Sequence, residues 1–414
     1  MIKFEEHILK NGLTVIIHQD KSTPIAAVNL MYNVGSKHES SNRTGFAHLF
    51  EHLMFEGSEH IPSYDTPLQL IGGQNNAFTS TDVTNYYVTL PKENLETAFW
   101  LESDRMLNLA FSEESLRVQK NVVMEEFKQR YLNQPYGDMW LNLRPLAFKQ
   151  HPYRWATIGE SLTHIEEASL NEVKDFFNTH YNPHNAVLVV AGDLETENVL
   201  ALAEKWFGSI EKPKRPTPVF PTEPKQTERR TQHKEVDVPQ PAIYMAWHIV
   251  AKTDPEFPAV DLVSDVLSRG DSSRFTKNLI KGKQLFSELD AYVTGEIEPG
   301  LFVIGGKLSE GVSLEQAEVA IWEEINEIKV NGITTQELTK VVNKVESTLA
   351  FGEMDLLNES MNLAFACIQG DTNMVNTEIE KYLAVRPEEV QEAAKQYLGA
   401  HQVSVLTYQN KTSA

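Results

Sequence analysis

The chain repeats its own pattern at one constant offset, and this constrains its fold more than any other feature of the sequence. The apolar segment PIAAVNLMYNVG from Pro24 aligns without a gap with PAIYMAWHIV from Pro241, 217 positions later. At the same offset SLNEVKDFFNTHYNPHNAVLVVAG aligns with RPEEVQEAAKQYLGAHQVSVLTYQ, so that Val173 matches Val390. A fixed offset at both ends of each copy is typical of a duplicated structural unit. The sequence therefore predicts two homologous halves.

Each half alternates short apolar segments with longer amphipathic ones. Leu13 to Ile17 and Ala26 to Asn33 have the composition of strands, a helical pattern begins at Phe46, and NYYVTLP has strand composition again. This alternation predicts an α+β fold in which each half is a mixed or antiparallel sheet covered by helices.

The length of 414 residues exceeds what one ordinary core accommodates, so more than one domain is expected. The segment EKPKRPTPVFPTEPKQTERRTQHKE, residues 211–235, is rich in proline and basic residues and lacks periodicity, which predicts a semi-rigid linker. We therefore predict an N-terminal domain at residues 1–210, a linker at 211–235 and a homologous C-terminal domain at 236–414.

Composition excludes several classes of function. A formal net charge of -21 argues against a nucleic-acid partner, because such proteins present clustered Lys and Arg. No apolar run approaches the length of a membrane span, so we expect no membrane insertion. The start, MIKFEEHILKNG, has no basic leader followed by an apolar block, which predicts a cytoplasmic protein; a leader removed beforehand would instead permit the periplasm. The single cysteine, Cys367, cannot form an intrachain disulfide and is interpreted as a core residue.

The segment TGFAHLFEHLMFEG places two histidines one helical turn apart among large apolar residues. Thr44 can cap the start of this helix and Gly57 can end it in a left-handed turn, which predicts about three turns. Side chains at positions i and i+4 project from one face, so His48 and His52 can bind one cation. Neutral imidazole is a ligand that zinc prefers.

Glu51 lies beside the two histidines, and the three residues form the inverted version of the His-Glu-x-x-His pattern. The carboxylate is poorly placed as a third ligand but well placed to take a proton from an attacking water. At the 217-residue offset the equivalent positions are Asp265, Ser268 and Arg269. The trio formed by His48, Glu51 and His52 therefore acts in the first half alone.

A catalytic zinc site needs a third protein ligand. The segment LRVQKNVVMEEFKQRYLNQPYGD offers Glu125 and Glu126 in a helical pattern. Neighbours on a helix point about 100 degrees apart, so only one of the two can reach the metal, and the residues alone leave the choice open. Without a third ligand, the alternative is a histidine pair satisfied by hydrogen bonds on a half-buried helix.

The segment HLFEH, followed by NVVMEEF, resembles the pitrilysin family of inverted zincins, which includes insulin-degrading enzyme and the mitochondrial processing peptidase. The resemblance extends to NGLTVII, GGQNNAFTSTDVTNYYVTLP, HPYRWATIGE and YNPHNAVLVVAGDL. It implies a processing-peptidase-like duplicated fold and a Zn²⁺ cofactor. By this resemblance zinc is held by His48, His52 and Glu126, with Glu51 as the general base. Glu126 is preferred because the family's ligand directly precedes an apolar residue, here Phe127.

The resemblance also implies a substrate-binding strand. Asn76, Ala77, Phe78 and Thr79 match the family's Asn-Ala-x-Thr segment, an edge strand that pairs with the substrate backbone. An unpaired edge offers peptide N–H and C=O groups to an extended peptide. The residues alone indicate only a glycine-containing turn that leads into a strand.

Two departures from the family pattern affect the predicted function. Seven positions before Glu126 the family carries a second glutamate, whereas this chain has Gln119, whose amide could still orient a ligand histidine. After the matching Ser272, Ser273 and Arg274, the family's Arg and Tyr are replaced by Ile280 and Ser287. Those two residues bind substrate and stabilise the developing oxyanion in the family.

The resemblance and its departures together predict a zinc-dependent endopeptidase that hydrolyses peptides or unfolded polypeptides in a closed chamber. Because short members of the family pair, we expect a hetero-oligomer with a homologous subunit that carries the missing Arg and Tyr. The alternative is a noncatalytic structural or peptide-binding subunit of a larger complex.

Overall fold

The structure is a computed structural model that describes residues 1–211 and 218–411. Its strands, in chain order, are β1 (Glu5–Ile8), β2 (Thr14–Gln19), β3 (Ile25–Tyr32), β4 (Gln74–Thr79), β5 (Thr84–Pro91), β6 (Ala186–Gly192), β7 (Arg230–Val236), β8 (Ala242–His248), β9 (Phe286–Val293), β10 (Leu301–Leu308) and β11 (Ser404–Asn410).

The helices, in chain order, are α1 (Phe46–Leu53), α2 (Asp65–Leu70), α3 (Leu95–Leu107), α4 (Glu113–Phe127), α5 (Met139–Ala147), α6 (Leu162–Glu166), α7 (Leu170–His180), α8 (Thr196–Phe207), α9 (Phe257–Ser268), α10 (Leu314–Asn331), α11 (Thr335–Gly352), α12 (Leu356–Ile368), α13 (Met374–Leu383) and α14 (Pro387–Tyr397). π-helical turns lie at Lys128–Leu132 and Phe275–Gly282. Among the described helices, none combines the length and the apolar character that crossing a bilayer requires.

The described residues form two compact units. Unit 1 comprises the ranges Met1–Phe127, Trp155–Phe220 and Ala350–Thr377, and unit 2 comprises Lys128–Arg154, Pro221–Leu349 and Glu378–Ala414. The units differ from the predicted domains, because each contains one segment from the other half of the sequence. Residues 212–217 of the predicted linker lie outside the described residues, and β7 occupies the C-terminal end of that linker.

The sheets of the two units share the order of five strands, and β1 is an additional strand of unit 1. Within the described ranges, the sheet of unit 1 has the order β1-β2-β6-β3-β5-β4, and that of unit 2 has the order β7-β11-β8-β10-β9. The pairs β2–β6 and β7–β11 are parallel and all the other pairs are antiparallel. The 217-residue offset places β5 on β10 and α7 on α14 without a shift at either end. The predicted α+β fold with two homologous halves and mixed sheets is confirmed.

Helices α5 and α12 occupy equivalent positions in the repeat but exchange sheets. Helix α5, from the first half of the sequence, packs on β11, β8 and β7, where Leu143 lies in a buried cluster with Leu406. Helix α12, from the second half, packs on β3, β6 and β2, where Leu363 lies in a buried cluster with Met31. Cys367 is partly buried against the second cluster. Each sheet is therefore covered by a helix from the opposite half.

Helix α1 is shorter than predicted. It begins at Phe46, as the pattern predicts, but Thr44 is not its cap, because Gly45 with φ 88° precedes the helix. A Cβ atom at Gly45 would lie 2.7 Å from the Ile158 carbonyl oxygen, so a side chain is excluded there. The helix ends at Leu53, which makes its eight residues about two turns, and Gly57 (φ 105°) lies beyond its end.

The start of α1 is capped by a distant carboxylate rather than by Thr44. Glu39 is buried and accepts hydrogen bonds from the backbone N–H groups of Gly45 and Ala47, both at 2.8 Å. The Thr44 hydroxyl instead accepts a hydrogen bond from the Glu160 N–H and lies 2.8 Å from His164 Nδ1. Burial raises the pKa of Glu39 to about 8, although the backbone N–H bonds oppose this shift.

The apolar side of α1 is anchored by aromatic packing. Phe50 is fully buried and stacks on Phe177 and Tyr181, with ring centroids 6.2 and 5.1 Å away. Offset stacking of this kind adds to the free energy of burial. The packing fixes the orientation of α1 and leaves His48, Glu51 and His52 on its less buried side.

Helix α12 is joined to its sheet by a histidine on β2. His18 Nδ1 lies 2.7 Å from the Lys3 carbonyl oxygen, and His18 Nε2 lies 3.3 Å from Glu359 Oε2 on α12. Both partners are acceptors, so the doubly protonated imidazolium satisfies both contacts. The hydrogen bond to Glu359 raises the pKa of His18 above its ordinary value, with burial acting in the opposite direction.

The His18–Glu359 contact predicts a pH-dependent stability. Its contribution is fully present below the unfolded pKa of about 6.5 and is lost as pH rises through the higher folded pKa. We expect His18→Gln to lower the free energy of unfolding more at about pH 6 than at about pH 9, as measured by urea denaturation. Exposed His401→Gln is the control. An equal effect of His18→Gln at both pH values would contradict the prediction.

The Glu39 contacts predict a stability effect at α1. Glu39→Ala leaves two buried N–H groups without their acceptor, so we expect the free energy of unfolding to fall by about 1–3 kcal/mol. Glu39→Gln retains one carbonyl oxygen and should lose less. Thermal and chemical denaturation measure both changes, with exposed Glu166→Ala as the control. If Glu39→Ala unfolds like the wild type, the capping role is wrong.

Candidate metal centre

Two helices bring three potential ligands together. His48 Nε2 and His52 Nε2, from α1, lie 3.6 and 3.4 Å from Glu126 Oε2, in the last turn of α4. Within the described parts of the chain, these three form the one group of at least three His, Cys, Asp or Glu side chains whose ligand atoms all lie within 4.8 Å of one another. The imidazole rings are 4.9 Å apart and nearly perpendicular.

The spacing of these atoms fits a small tetrahedral cation. Ligand atoms about 2.0–2.2 Å from a tetrahedral zinc ion lie roughly 3.4 Å from one another, which is close to both histidine–carboxylate distances. Two imidazoles and one carboxylate are also a known ligand set of catalytic zinc, which keeps one position open. The side chains of His48, His52 and Glu126 retain 13, 24 and 17% of their exposure, so the group is accessible from solvent.

The packing of α4 distinguishes between the two neighbouring glutamates. Leu116, Val123 and Phe127 are the buried residues of this helix. Glu126 is partly buried beside the histidines, whereas Glu125 is exposed to solvent. The structure therefore brings Glu126, and not Glu125, to the histidine pair.

Glu51 lies on α1 between the histidines and is held by a strand. Its Oε2 accepts a hydrogen bond of 2.6 Å from the Thr79 hydroxyl, at the end of β4. Glu51 also acts electrostatically on two buried tyrosines, Tyr86 and Tyr181, whose pKa values are raised chiefly by burial. The Glu51 carboxylate thus contacts the polar end of β4.

Strand β4 lies at the edge of its sheet, with β5 as its neighbour. The alternation of side chains along it separates the four predicted substrate-binding residues into two sets. Phe78 packs against Phe365, and Asn76 accepts a hydrogen bond of 2.9 Å from the Ala77 N–H through its side-chain oxygen. Ala77 and Thr79 share the face from which Thr79 reaches Glu51.

Gln119 lies two turns before Glu126 on α4, and its amide donates a hydrogen bond to Glu56, beyond the end of α1. The contact links the two helices that carry the candidate ligands. A role in orienting a ligand histidine stays a prediction.

A buried ion pair lies beneath the edge strand. Arg105, on α3, donates two hydrogen bonds to the Glu102 carboxylate, at 2.6 and 2.8 Å. Its guanidinium lies 4.3 Å from the ring centre of Tyr86, the residue that pairs with Ala77 of β4. Desolvated cation–π contacts of this kind stabilise a packed arrangement, so the ion pair supports the sheet next to the site.

The second copy of the repeat has ordinary structural contacts at the positions of the trio. Arg269 forms an ion pair of 2.8 Å with Asp265 on α9, and the Ser268 hydroxyl donates to the Ala291 carbonyl oxygen at 2.9 Å. A cation and an anion one helical turn apart neutralise each other. These positions therefore provide no second ligand group.

The arginine of the Ser-Ser-Arg segment in the second copy also makes structural contacts. Arg274 donates to the Glu337 carboxylate at 2.8 and 3.1 Å and to the Gly332 carbonyl oxygen at 3.0 Å, which joins it to the turn between α10 and α11. Ile280 packs against the core of unit 2, and the Ser287 hydroxyl donates to Gln240 at 2.9 Å. Neither position presents the guanidinium or phenol that the family carries there.

Two residues near the site were not predicted in the roles that the structure gives them. Glu39 caps α1 from outside the helical segment, and a carboxylate six positions before the first capped N–H has no local sequence signature. Thr79 was predicted to bind substrate, yet its hydroxyl contacts Glu51. The alternation of side chains along a strand could have predicted that Thr79 lies on the opposite face from Phe78. It could not have identified Glu51 as the hydrogen-bond acceptor of Thr79.

Comparisons with known proteins identify a family of peptidases. Residues 14–153 match a family described as insulinase (peptidase family M16), and residues 167–345 match the peptidase M16 inactive domain. The zinc protease PqqE of Helicobacter pylori is 30% identical over 354 residues, which are 82% of this chain and 78% of that protein. A probable mitochondrial-processing peptidase subunit beta of Arabidopsis thaliana is 24% identical over 358 residues, which are 82% of this chain and 66% of that protein.

Solved structures show the same fold. The crystal structure of a protease from Helicobacter pylori superposes with a TM-score of 0.94 at 26% identity and covers 99% of this chain and 100% of that one. The sequence matches and the shared fold confirm the predicted resemblance to the pitrilysin family. The chain belongs to the insulinase family of peptidases, peptidase family M16.

Proposed function

We propose that the chain is a zinc-dependent endopeptidase whose metal is held by His48, His52 and Glu126. The observation that carries the proposal is the convergence of three ligand atoms, from α1 and α4, with both histidine–carboxylate distances close to those of a tetrahedral site. The naming of homologues as zinc proteases supports the choice of metal.

Glu51 is the general base in this proposal. Zinc, when bound, polarises a peptide carbonyl and makes water more acidic. The Glu51 carboxylate takes the proton from the attacking water and returns it to the leaving amine nitrogen. Because Glu51 is one residue from His52, the short helix α1 fixes the distance between the base and the ligands.

We propose that the substrate is an extended peptide that adds to the free edge of β4. Pairing through the backbone gives affinity with little dependence on sequence, which suits a peptidase of unfolded polypeptides. In the structure the Asn76 side chain accepts the hydrogen bond of the Ala77 N–H. A peptide that uses this N–H therefore displaces the Asn76 oxygen.

The partner in this proposal is a homologous subunit that supplies an Arg and a Tyr and closes a chamber around the substrate. The Ile280 side chain has no hydrogen-bond donor and the Ser287 hydroxyl donates to Gln240, so neither supplies the guanidinium or phenol that stabilises the developing oxyanion in the family. A loss of such donors typically costs about a hundredfold or more in rate. The relatives that are named as processing-peptidase beta subunits support a need for a second chain.

The ligand assignment predicts a difference between two adjacent carboxylates. Glu126→Gln should weaken zinc binding at least about 100-fold, whereas Glu125→Gln, its exposed neighbour, should bind zinc like the wild type. Metal analysis after dialysis and competition with a chelator measure both affinities. Equal retention of zinc by the two variants would exclude Glu126 as a ligand.

The assignment of the base and of the partner predicts different peptidase rates for Glu51→Gln, for the wild-type chain alone and for the wild-type chain with its partner. Glu51→Gln should retain zinc and lose hydrolysis of a quenched fluorescent peptide by about 100-fold or more. The wild-type chain alone should be slow, and a homologous chain encoded beside it, with Arg and Tyr at the two equivalent positions, should raise the rate about 100-fold.

Two results would change this assignment. Full activity of the lone chain would contradict the need for a partner. No hydrolysis by the zinc-loaded pair, with Glu51→Gln indistinguishable from wild type, would favour the noncatalytic peptide-binding subunit. The replacement of the family's Arg and Tyr by Ile280 and Ser287 is the observation that keeps this second function open.

A further inference from the structure

The Thr79 hydroxyl contacts Glu51, the residue proposed as the general base. The roles of metal ligand and base do not explain this contact. Thr79 Oγ1 donates to Glu51 Oε2 at 2.6 Å, and both side chains are partly buried. A hydrogen bond to a charged acceptor is stronger than one between neutral groups. We infer that Thr79 is a positioning residue, whose hydroxyl fixes the orientation of the Glu51 carboxylate.

A glutamate carboxylate needs such a partner to keep one orientation. Its terminal torsion is broad and roughly two-fold, so rotamer preference alone does not define the plane of the two oxygens. A bond to one oxygen selects a single orientation of that plane. General-base catalysis requires a lone pair within hydrogen-bond distance of the proton it accepts, so this orientation affects the rate directly.

The backbone at Thr79 is held in place by the sheet and by the turn that follows, which fixes the position of its side chain. It pairs with Thr84 of β5, and the turn that follows is closed by the Ser80 N–H donating to Val83 O at 2.8 Å. The same turn is fixed from a second segment by the Lys37–Asp82 ion pair, 2.8 Å long and almost fully buried. A β-branched side chain on a fixed backbone has few rotamers, so the hydroxyl is preorganised.

The strand itself does not require a hydroxyl at this position. Valine has the same shape as threonine and at least as strong a preference for strands. The contact with Glu51 therefore gives the threonine hydroxyl a role that the sheet does not require. Since β4 is also the strand on which we propose that the substrate pairs, one element holds both the peptide and the orientation of the base.

The inference rests on the proposed function, in which Glu51 is the base, and Thr79→Val tests it. Thr79→Val should lower kcat by roughly 10- to 100-fold with KM within about twofold, because the base is misoriented while peptide pairing is retained. Thr79→Ser should restore most of the lost kcat. Zinc content should be unchanged in both variants, and Thr89→Val on β5 is the matched control.

The assay includes Glu51→Gln and any partner chain that activity requires. If Glu51→Gln hydrolyses peptide as fast as the wild type, the proposed base is wrong, irrespective of the Thr79 variants. If Glu51→Gln is inactive but Thr79→Val keeps the wild-type kcat, the positioning role is wrong. A rise in KM at constant kcat would instead make Thr79 a substrate contact and would also overturn the inference.

Crystal structures of the wild type and the two Thr79 variants give a readout that does not depend on turnover. We expect one Glu51 conformer within hydrogen-bond distance of residue 79 in the wild type and in Thr79→Ser. We expect a rotated or multiple Glu51 carboxylate in Thr79→Val. An unchanged Glu51 in Thr79→Val would overturn the inference even if no peptide is cleaved.

Discussion

The packing of α1 against α4 is the interaction on which the site depends. A pair of histidines on one helix can be specified locally, but the third candidate ligand, Glu126, is more than seventy positions away and reaches them only when both helices are fixed. Phe50 anchors the buried side of α1 by stacking on Phe177 and Tyr181. Phe127, the residue that follows Glu126, is buried and anchors the end of α4. The free energy of apolar burial therefore offsets the cost of bringing a carboxylate beside two imidazoles.

The elements and the approximate place of the site could be predicted from periodicity and spacing, but their ends and partners could not. Hydrophobic periodicity is a local property of the sequence, so it was sufficient to predict the strands and helices and the repeat that they form. The start of α1 at Phe46 was predicted correctly, but its cap was not, since the cap depends on the left-handed Gly45 and on Glu39, which reaches the helix through tertiary structure. Spacing alone could not choose between Glu125 and Glu126, because the choice depends on which face of α4 is buried.

The two copies of the repeat show how one backbone supports different chemistry. The order of the five corresponding strands is preserved, yet the positions of the His48, Glu51 and His52 trio are occupied in the second copy by an ion pair between Asp265 and Arg269 and by a hydroxyl bonded to a carbonyl oxygen. Fold and function are thus separable in a single chain, because function depends on a few side chains carried by the same scaffold. Each compact unit includes a helix from the opposite half of the sequence, and an amphipathic pattern does not state which sheet a helix will cover.

The reciprocal exchange of α5 and α12 has a consequence for how such a chain could be divided. A polypeptide ending near the middle of the sequence would keep the sheet of unit 1 but leave the apolar surface under α12 bare, and the remaining polypeptide would lack α5 in the same way. Large exposed apolar surfaces favour association. Two separately expressed halves are therefore expected to aggregate when alone. When mixed, they are expected to complement each other, because each half supplies the helix that covers the sheet of the other.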